Sequence, residues 1–191
     1  TLPSRVLPEV SFSSAASNLV AGDTNNVSDI FIRDLCLSAE PGCVPSTRLV
    51  SVGLGGEPAD GASSDPQMGP PLQDFYGHEQ HGRFIVFVSN ATNLVAGDTN
   101  SVSDVFERDT CSGEPGCVPS TVRVSVTSSG EQIAGASNSP DFVRWDGEDV
   151  PFVTAANAVV PEDTNSLADV YVRHLCPAGA ADYCRAGTMR V

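Results

Sequence analysis

The chain is expected to be all-β, built from three copies of a unit of roughly four short antiparallel strands. Three observations predict this. One motif recurs three times, as AGDTNNVSDIFIRD from Ala21, AGDTNSVSDVFERD from Ala96 and PEDTNSLADVYVRH from Pro161. Each copy is flanked by runs in which apolar and polar residues alternate, the period of a half-buried strand. No stretch keeps a 3.6-residue apolar period, and Gly and Pro mark every junction.

The elements follow in a fixed order. A first strand is expected at Val10–Ser14, Ile85–Ser89 and Val150–Thr154. A polar connector leads to a second strand, DIFIRD, DVFERD or DVYVRH. A Cys-bounded loop leads to a third, at Thr47–Val52, Thr121–Val126 and Thr188–Val191. The segments Gly56–Met68 and Gly130–Phe142 match each other and predict a further short strand near Gln67–Met68 and Asp141–Val143. Asp23, Asp98 and Asp163 are 75 and 65 residues apart, and the extra length lies in an insertion near residues 69–82. The units are therefore 1–55, 56–129 and 130–191, the first a partial one. The chain starts at a first strand and stops in TMRV, short of the SV that ends the other copies, so both ends read as unfinished.

Four antiparallel strands repeated at such spacing are the pattern of propeller blades. DIFIRD and DVFERD, preceded by NLVAGDTN and followed by TVRVSV, resemble the PD40-type repeats of TolB-like β-propellers, of the variety found in bacterial extracellular proteins. The resemblance covers nearly the whole chain. It departs where an S-x-D-G-R-Y turn is expected before the first strand, which here reads HGRF or RWDGED. It implies β-propeller-like blades and calcium-type D-T-N-x-x-x-D loops. Family rings close with six or more blades, so three are not expected to close within one chain.

The 191 residues allow one sizeable core or a short array, and 40% hydrophobic content suits a folded chain. Net charge is −14 and the ten basic residues, all Arg, are scattered singly. That charge speaks against nucleic-acid partners and docking on anionic membranes, and no apolar run is long enough for a transmembrane helix. The N-terminal TLPSRVLPEV has neither a charged nor an apolar leader region, so any signal peptide is expected to have been removed.

Six cysteines form three close pairs, Cys36 with Cys43, Cys111 with Cys117 and Cys176 with Cys184, with five to seven residues between partners. One local disulfide per unit is expected, each stabilising by roughly 2–3 kcal/mol, in an oxidising, secreted setting. Buried thiols and metal ligation are the other readings.

The acidic loops carry the sharpest chemistry. Asp23, Asn25 and Asp29 recur as Asp98, Asn100 and Asp104 and as Asp163, Asn165 and Asp169, while their neighbours drift. Oxygen donors at positions 1, 3 and 7 suit Ca²⁺, about one ion per unit, pinning the connector to the second strand. The plain alternative is an Asx-turn. Asp34 and Asp109 give way to His174 and read as strand-end residues. Phe31 with Arg33, Phe106 with Arg108 and Tyr171 with Arg173 share a strand face, for packing or for a ligand.

No catalytic set emerges, and the chain is not expected to be an enzyme. His78-Glu79-Gln80-His81 has i+3 rather than i+4 spacing and sits among Gly and Pro, so it reads as a loop. No G-x-S-x-G elbow or phosphate-binding Gly loop is present. Asn26 and Asn90 head glycosylation sequons. The leading function is a self-associating extracellular structural protein whose partners are copies of itself, in a filament or coat. The others are a binding module for a protein or glycan and an accessory propeller of a secreted hydrolase.

Overall fold

A computed structural model describes residues 9–37, 44–69, 72–73, 79–80, 82–143, 148–161, 163–165, 167–176 and 184–191. Its strands are β1 (Glu9–Ser14), β2 (Asp29–Asp34), β3 (Ser46–Leu49), β4 (Ser63–Met68), β5 (Leu72–Gln73), β6 (Glu79–Gln80) and β7 (Phe84–Ser89). They continue as β8 (Asp104–Asp109), β9 (Ser120–Arg123), β10 (Ser137–Asn138), β11 (Asp149–Thr154), β12 (Asp169–His174) and β13 (Gly187–Arg190). The only helical element among the described residues is a single 3₁₀ turn at Cys111–Gly113.

Three antiparallel sheets result, ordered β1-β2-β3, β4-β7-β8-β9 and β10-β11-β12-β13, and none closes into a barrel. The pair β5-β6 lies in the insertion. First and second strands agree with the sequence reading to within a residue. Third strands end three residues early in the first two units. There γ-turns form, in which Val52 N–H donates to Val50 O (2.9 Å) and Val126 N–H to Val124 O (2.8 Å). The expected strand at Asp141–Val143 is instead at Ser137–Asn138. Both inner strands break at a left-handed residue before proline, Asp65 (φ 52°) or Ser139 (φ 54°). Pairing resumes at Gln67 in the second sheet, and in the third as a single bond from Val143 N–H to Asp149 O (3.0 Å). This is a bulge next to a residue with no N–H to give.

Register repeats with the motif. Phe12 faces Phe31, Phe87 faces Phe106 and Phe152 faces Tyr171, with ring centroids 5.7, 6.0 and 5.6 Å apart. Because strand side chains alternate, each sheet has two faces, and the core lies between sheets. Ile30 and Ile32 of the first sheet pack with Ile85, Phe87 and Phe106 of the second. Val86, Val88 and Val105 of the second pack with Val150, Phe152 and Tyr171 of the third. Each fully buried side chain of this kind contributes about 1.5–3 kcal/mol. The junctions are thus one design used twice, the forward face of one sheet against the rear face of the next.

One residue breaks the pattern. Glu107 sits where the other units have Ile32 and Val172, on the forward face beside Val105. It is buried, and its Oε2 has no partner among the described residues. Burial first, and the charge of Asp109 second, push its carboxyl from the ordinary 4.5 up to about 8. The folded chain therefore keeps a proton that the unfolded chain releases. Its contribution to stability is full below pH 4.5 and is lost as the pH rises through about 8. Glu107→Val, copying Val172, is expected to stabilise by about 1–3 kcal/mol at pH 8, with a smaller gain at pH 5. Thermal melts at both pH values check this; an equal gain at both contradicts it.

The acidic loops as candidate functional sites

The second loop shows the complete arrangement. Asn100 Oδ1 accepts from Val102 N–H at 3.2 Å, which closes an Asx-turn. Its amide nitrogen donates to Asp104 Oδ2 (3.2 Å) and to Ile133 O (2.8 Å), on the segment leading into the third sheet. Ser125, held at the γ-turn, donates to Asp104 Oδ1 at 2.6 Å and accepts from Val105 N–H at 3.0 Å. Arg123, at the end of β9, brings its guanidinium between the carboxylates, 3.1 Å from Asp98 and 3.4 Å from Asp104. Gln132 donates to both, at 2.8 and 3.3 Å. Burial raises the Asp104 carboxyl; Ser125, Arg123 and Gln132 oppose that rise.

The first loop keeps half of this. Asn25 makes the same turn to Val27 N–H (3.1 Å) and donates to Asp29 Oδ2 (2.5 Å) and Ala59 O (2.9 Å). Ser51 donates to Asp29 Oδ1 at 2.6 Å. The two remaining donors are missing. In the strand register Leu49 faces Phe31 as Arg123 faces Phe106, so Leu49 takes the arginine's place. Pro58 stands where GEQIAG has Gln132. Burial again raises Asp29; here Ser51 and Asn25 oppose it, and the charge of Asp23 adds to it. Asp23 Oδ1 is buried without a hydrogen bond among the described residues.

In the third loop Asn165 Oδ1 accepts from Leu167 N–H at 2.9 Å. Tyr171 donates its hydroxyl to Asp163 at 2.5 Å, and Arg190, the counterpart of Arg123, lies 3.8 Å from Asp163 and 3.4 Å from Asp169. Burial first, and the bond to Asp163 next, hold the Tyr171 phenol well above its ordinary range.

Asp23, Asn25 and Asp29 gather in the first unit and Asp98, Asn100 and Asp104 in the second; in the third Asp163 and Asp169 share Arg190, and Asn165 shows only its turn to Leu167 N–H. All three asparagine oxygens turn to their own backbone. Sequence reasoning missed Arg123, Arg190, Ser51, Ser125 and Gln132. The signal was present in TVRVSV against STRLVSV, where the arginine slips one place relative to the serine. Asp34 and Asp109 cap their strand ends by accepting from Cys36 and Cys111 N–H, both at 2.8 Å. His174 replaces them with a contact to Asp149 at 2.8 Å. Arg33, Arg108 and Arg173 reach across to Thr47, Thr121 and Thr188 at 3.0, 3.0 and 3.2 Å, a repeated cross-strand bond.

Disulfides join Cys111 to Cys117 and Cys176 to Cys184. Cys36 is disulfide-bonded too, and its expected partner Cys43 lies outside the described residues. His174 near Cys176 and Cys184, and Asp109 near Cys111 and Cys117, are the groupings of metal-ligand type, but their sulfurs are tied in disulfides. The disulfides fit an oxidising environment. No described helix is long and apolar enough to cross a membrane. His78 and His81 lie outside the described residues. Comparisons with protein-family models, curated proteins and solved structures find no match.

Arg123→Leu, which copies the first unit, leaves two buried carboxylates without their cation. A loss of about 3 kcal/mol or more is expected in chemical denaturation, since removing one partner of a buried pair strands the other. A loss below 1 kcal/mol would mean that the carboxylates are neutralised in some other way.

Proposed function

We propose that the chain is a non-enzymatic extracellular structural protein, made of TolB-like blades, that associates head to tail with copies of itself. One observation carries the reading. Forward-face positions Ile30 and Val105 are 0% exposed at the internal junctions, whereas Val170, their counterpart in the third sheet, is 46% exposed. On the rear face Ile85 and Val150 are 0% exposed and Val10 of the first sheet 46%, while Phe31 on that same face is fully buried. The two outer faces are the halves of a junction the chain already makes twice. A forward face docking on another copy's rear face is a heterologous contact, which propagates rather than pairs.

The disulfides support a secreted, durable product. The acidic loops fasten each unit internally, with Arg123 and Arg190 as the cations of the second and third. Calcium at those loops competes with that arrangement, because an ion has to displace a guanidinium. A melt separates the two: chelation leaves the midpoint unchanged if the arginines serve as the cations, and lowers it by several degrees if calcium is bound.

Sedimentation velocity tests the association. Species larger than one chain are expected to grow with concentration, and more readily at higher salt, which screens the −14 charge. Val170→Glu and Val10→Glu each block one face and stop growth. Mixed in equal amounts, they retain one good forward face and one good rear face, so discrete dimers are expected. A chain that stays monomeric at all concentrations contradicts the proposal, as does growth indifferent to both substitutions. Discrete rings of wild-type chains favour the closed binding module.

A further inference from the structure

We propose that the Cys176–Cys184 disulfide is a reactive one, which accepts an external thiol at Cys176 and releases Cys184 toward His174. The site lies at the end of β12. His174 Nε2 stands 3.4 Å from Cys184 Sγ, and Nδ1 stands 2.8 Å from Asp149 Oδ1. An ionised carboxylate only accepts, so Nδ1 is the donor there and Nε2 is left to face sulfur. The imidazole and both sulfurs lie within 4.8 Å of one another. A carboxylate that aims an imidazole at sulfur is the arrangement that activates cysteine.

The other units do not share it. In the strand register His174 and Asp149 stand where the second unit has Asp109 and Phe84 and the first has Asp34 and Glu9. Asp109 lies beside Cys111 and Cys117 as His174 lies beside Cys176 and Cys184. A carboxylate there repels a departing thiolate, whereas an imidazolium answers its charge. The third site is also the more open. The His174 side chain is 29% exposed and Cys176 and Cys184 are half-buried, whereas Cys111 is 4% exposed. Of the strands beside the ring, β11 brings Asp149 and β13 brings the uncharged Gly187; Glu148 adjoins Asp149 and Arg185 adjoins Cys184 in the chain. The thiol comes from outside, since none of the described cysteines is free. Its thiolate bonds to Cys176 Sγ, the Cys176–Cys184 bond breaks, and that bond's electron pair stays on Cys184 Sγ. The His174 imidazolium gives Cys184 its Nε2 proton and regains from solvent the one the thiol released. The products are a mixed disulfide at Cys176 and a thiol at Cys184. His174 is the proton donor and Asp149 the residue that positions it. The exchange is stoichiometric and does not depend on self-association.

The test treats the native full chain with N-acetylcysteine, quenches with N-ethylmaleimide and maps the adducts by mass spectrometry. N-acetylcysteine is expected on Cys176 and maleimide on Cys184, at least about tenfold faster than any adduct on Cys111 or Cys117. His174→Asp, which copies the second unit, and His174→Gln are each expected to slow the exchange about tenfold or more. Per thiolate, the wild-type rate is expected to fall as the pH rises and the imidazolium is lost; in both variants it stays level. Asp149→Asn slows the exchange, and the carboxylate of Asp149→Glu restores part of the rate. The source of the thiol is read by mixing the chain with copies in which this disulfide has been reduced. Disulfide-linked dimers point to a cysteine of a second copy, their absence to a small thiol, and either agrees with the proposal. Four results overturn it: adduct on Cys184 in place of Cys176, equal reactivity of the two disulfides, His174→Gln exchanging at the wild-type rate, or no exchange at all.

Discussion

A carboxylate pair stands at the root of each second strand, answered by a guanidinium in the second and third units and by hydroxyl and amide donors in the first, and much of this chain's organisation follows from the need to partner it. The carboxylates are buried because the second strand is the centre of its sheet. They are kept because they receive the Ser51 or Ser125 hydroxyl and the asparagine amide that tie connector, second strand and γ-turn together. Burial alone drives such groups toward the neutral acid. In the second unit the Ser125 hydroxyl first and the Arg123 guanidinium next oppose this without cancelling it, at the lowest exposure of any arginine pair described, with Arg123 8% exposed. The asparagine then carries the effect outward, since Asn25 and Asn100 also bond the segments that open the next sheet, at Ala59 and Ile133. Local electrostatics and the joining of one unit to the next are a single network.

The second constraint is the two-faced sheet. A strand such as β7 is buried on both sides, so its apolar residues run on without alternating, as in IVFVS, while β1 keeps serines at Ser11 and Ser13. Glu107 is the exception that shows the rule's cost, an acid held neutral in a place that Ile32 and Val172 fill with hydrocarbon. The same faces that make the junctions strong leave Val10 and Val170 uncovered at the two ends, so stability and association draw on one surface chemistry.

Much of this was legible from residues alone. Second strands could be placed to the residue because DIFIRD, DVFERD and DVYVRH combine an alternating pattern with a fixed acidic start. The gathering of Asp23, Asn25 and Asp29 was legible because three copies held the spacing. Their chemistry was less so. An Asp-x-Asn-x-x-x-Asp loop is equally an Asx-turn and a set of oxygen ligands, and only the third strand, some 20 residues on, decides what stands opposite; Asp104 and Ser125 are 21 apart in the chain. The slip of one residue between Arg48 and Arg123 is invisible without the register that sets Leu49 against Phe31. The early end of the third strand in the first two units was hidden for a similar reason, since a γ-turn at serine leaves no mark in the apolar pattern.

The central claim is that Arg123 and the loop carboxylates act as one unit rather than as neighbours. A double-mutant cycle between Asp98→Asn and Arg123→Leu, read by chemical denaturation, measures it most directly. Coupling of about 2 kcal/mol or more is expected, because each single change strands a buried charge that the double change removes. Additive losses, with coupling within about 0.5 kcal/mol of zero, would contradict it.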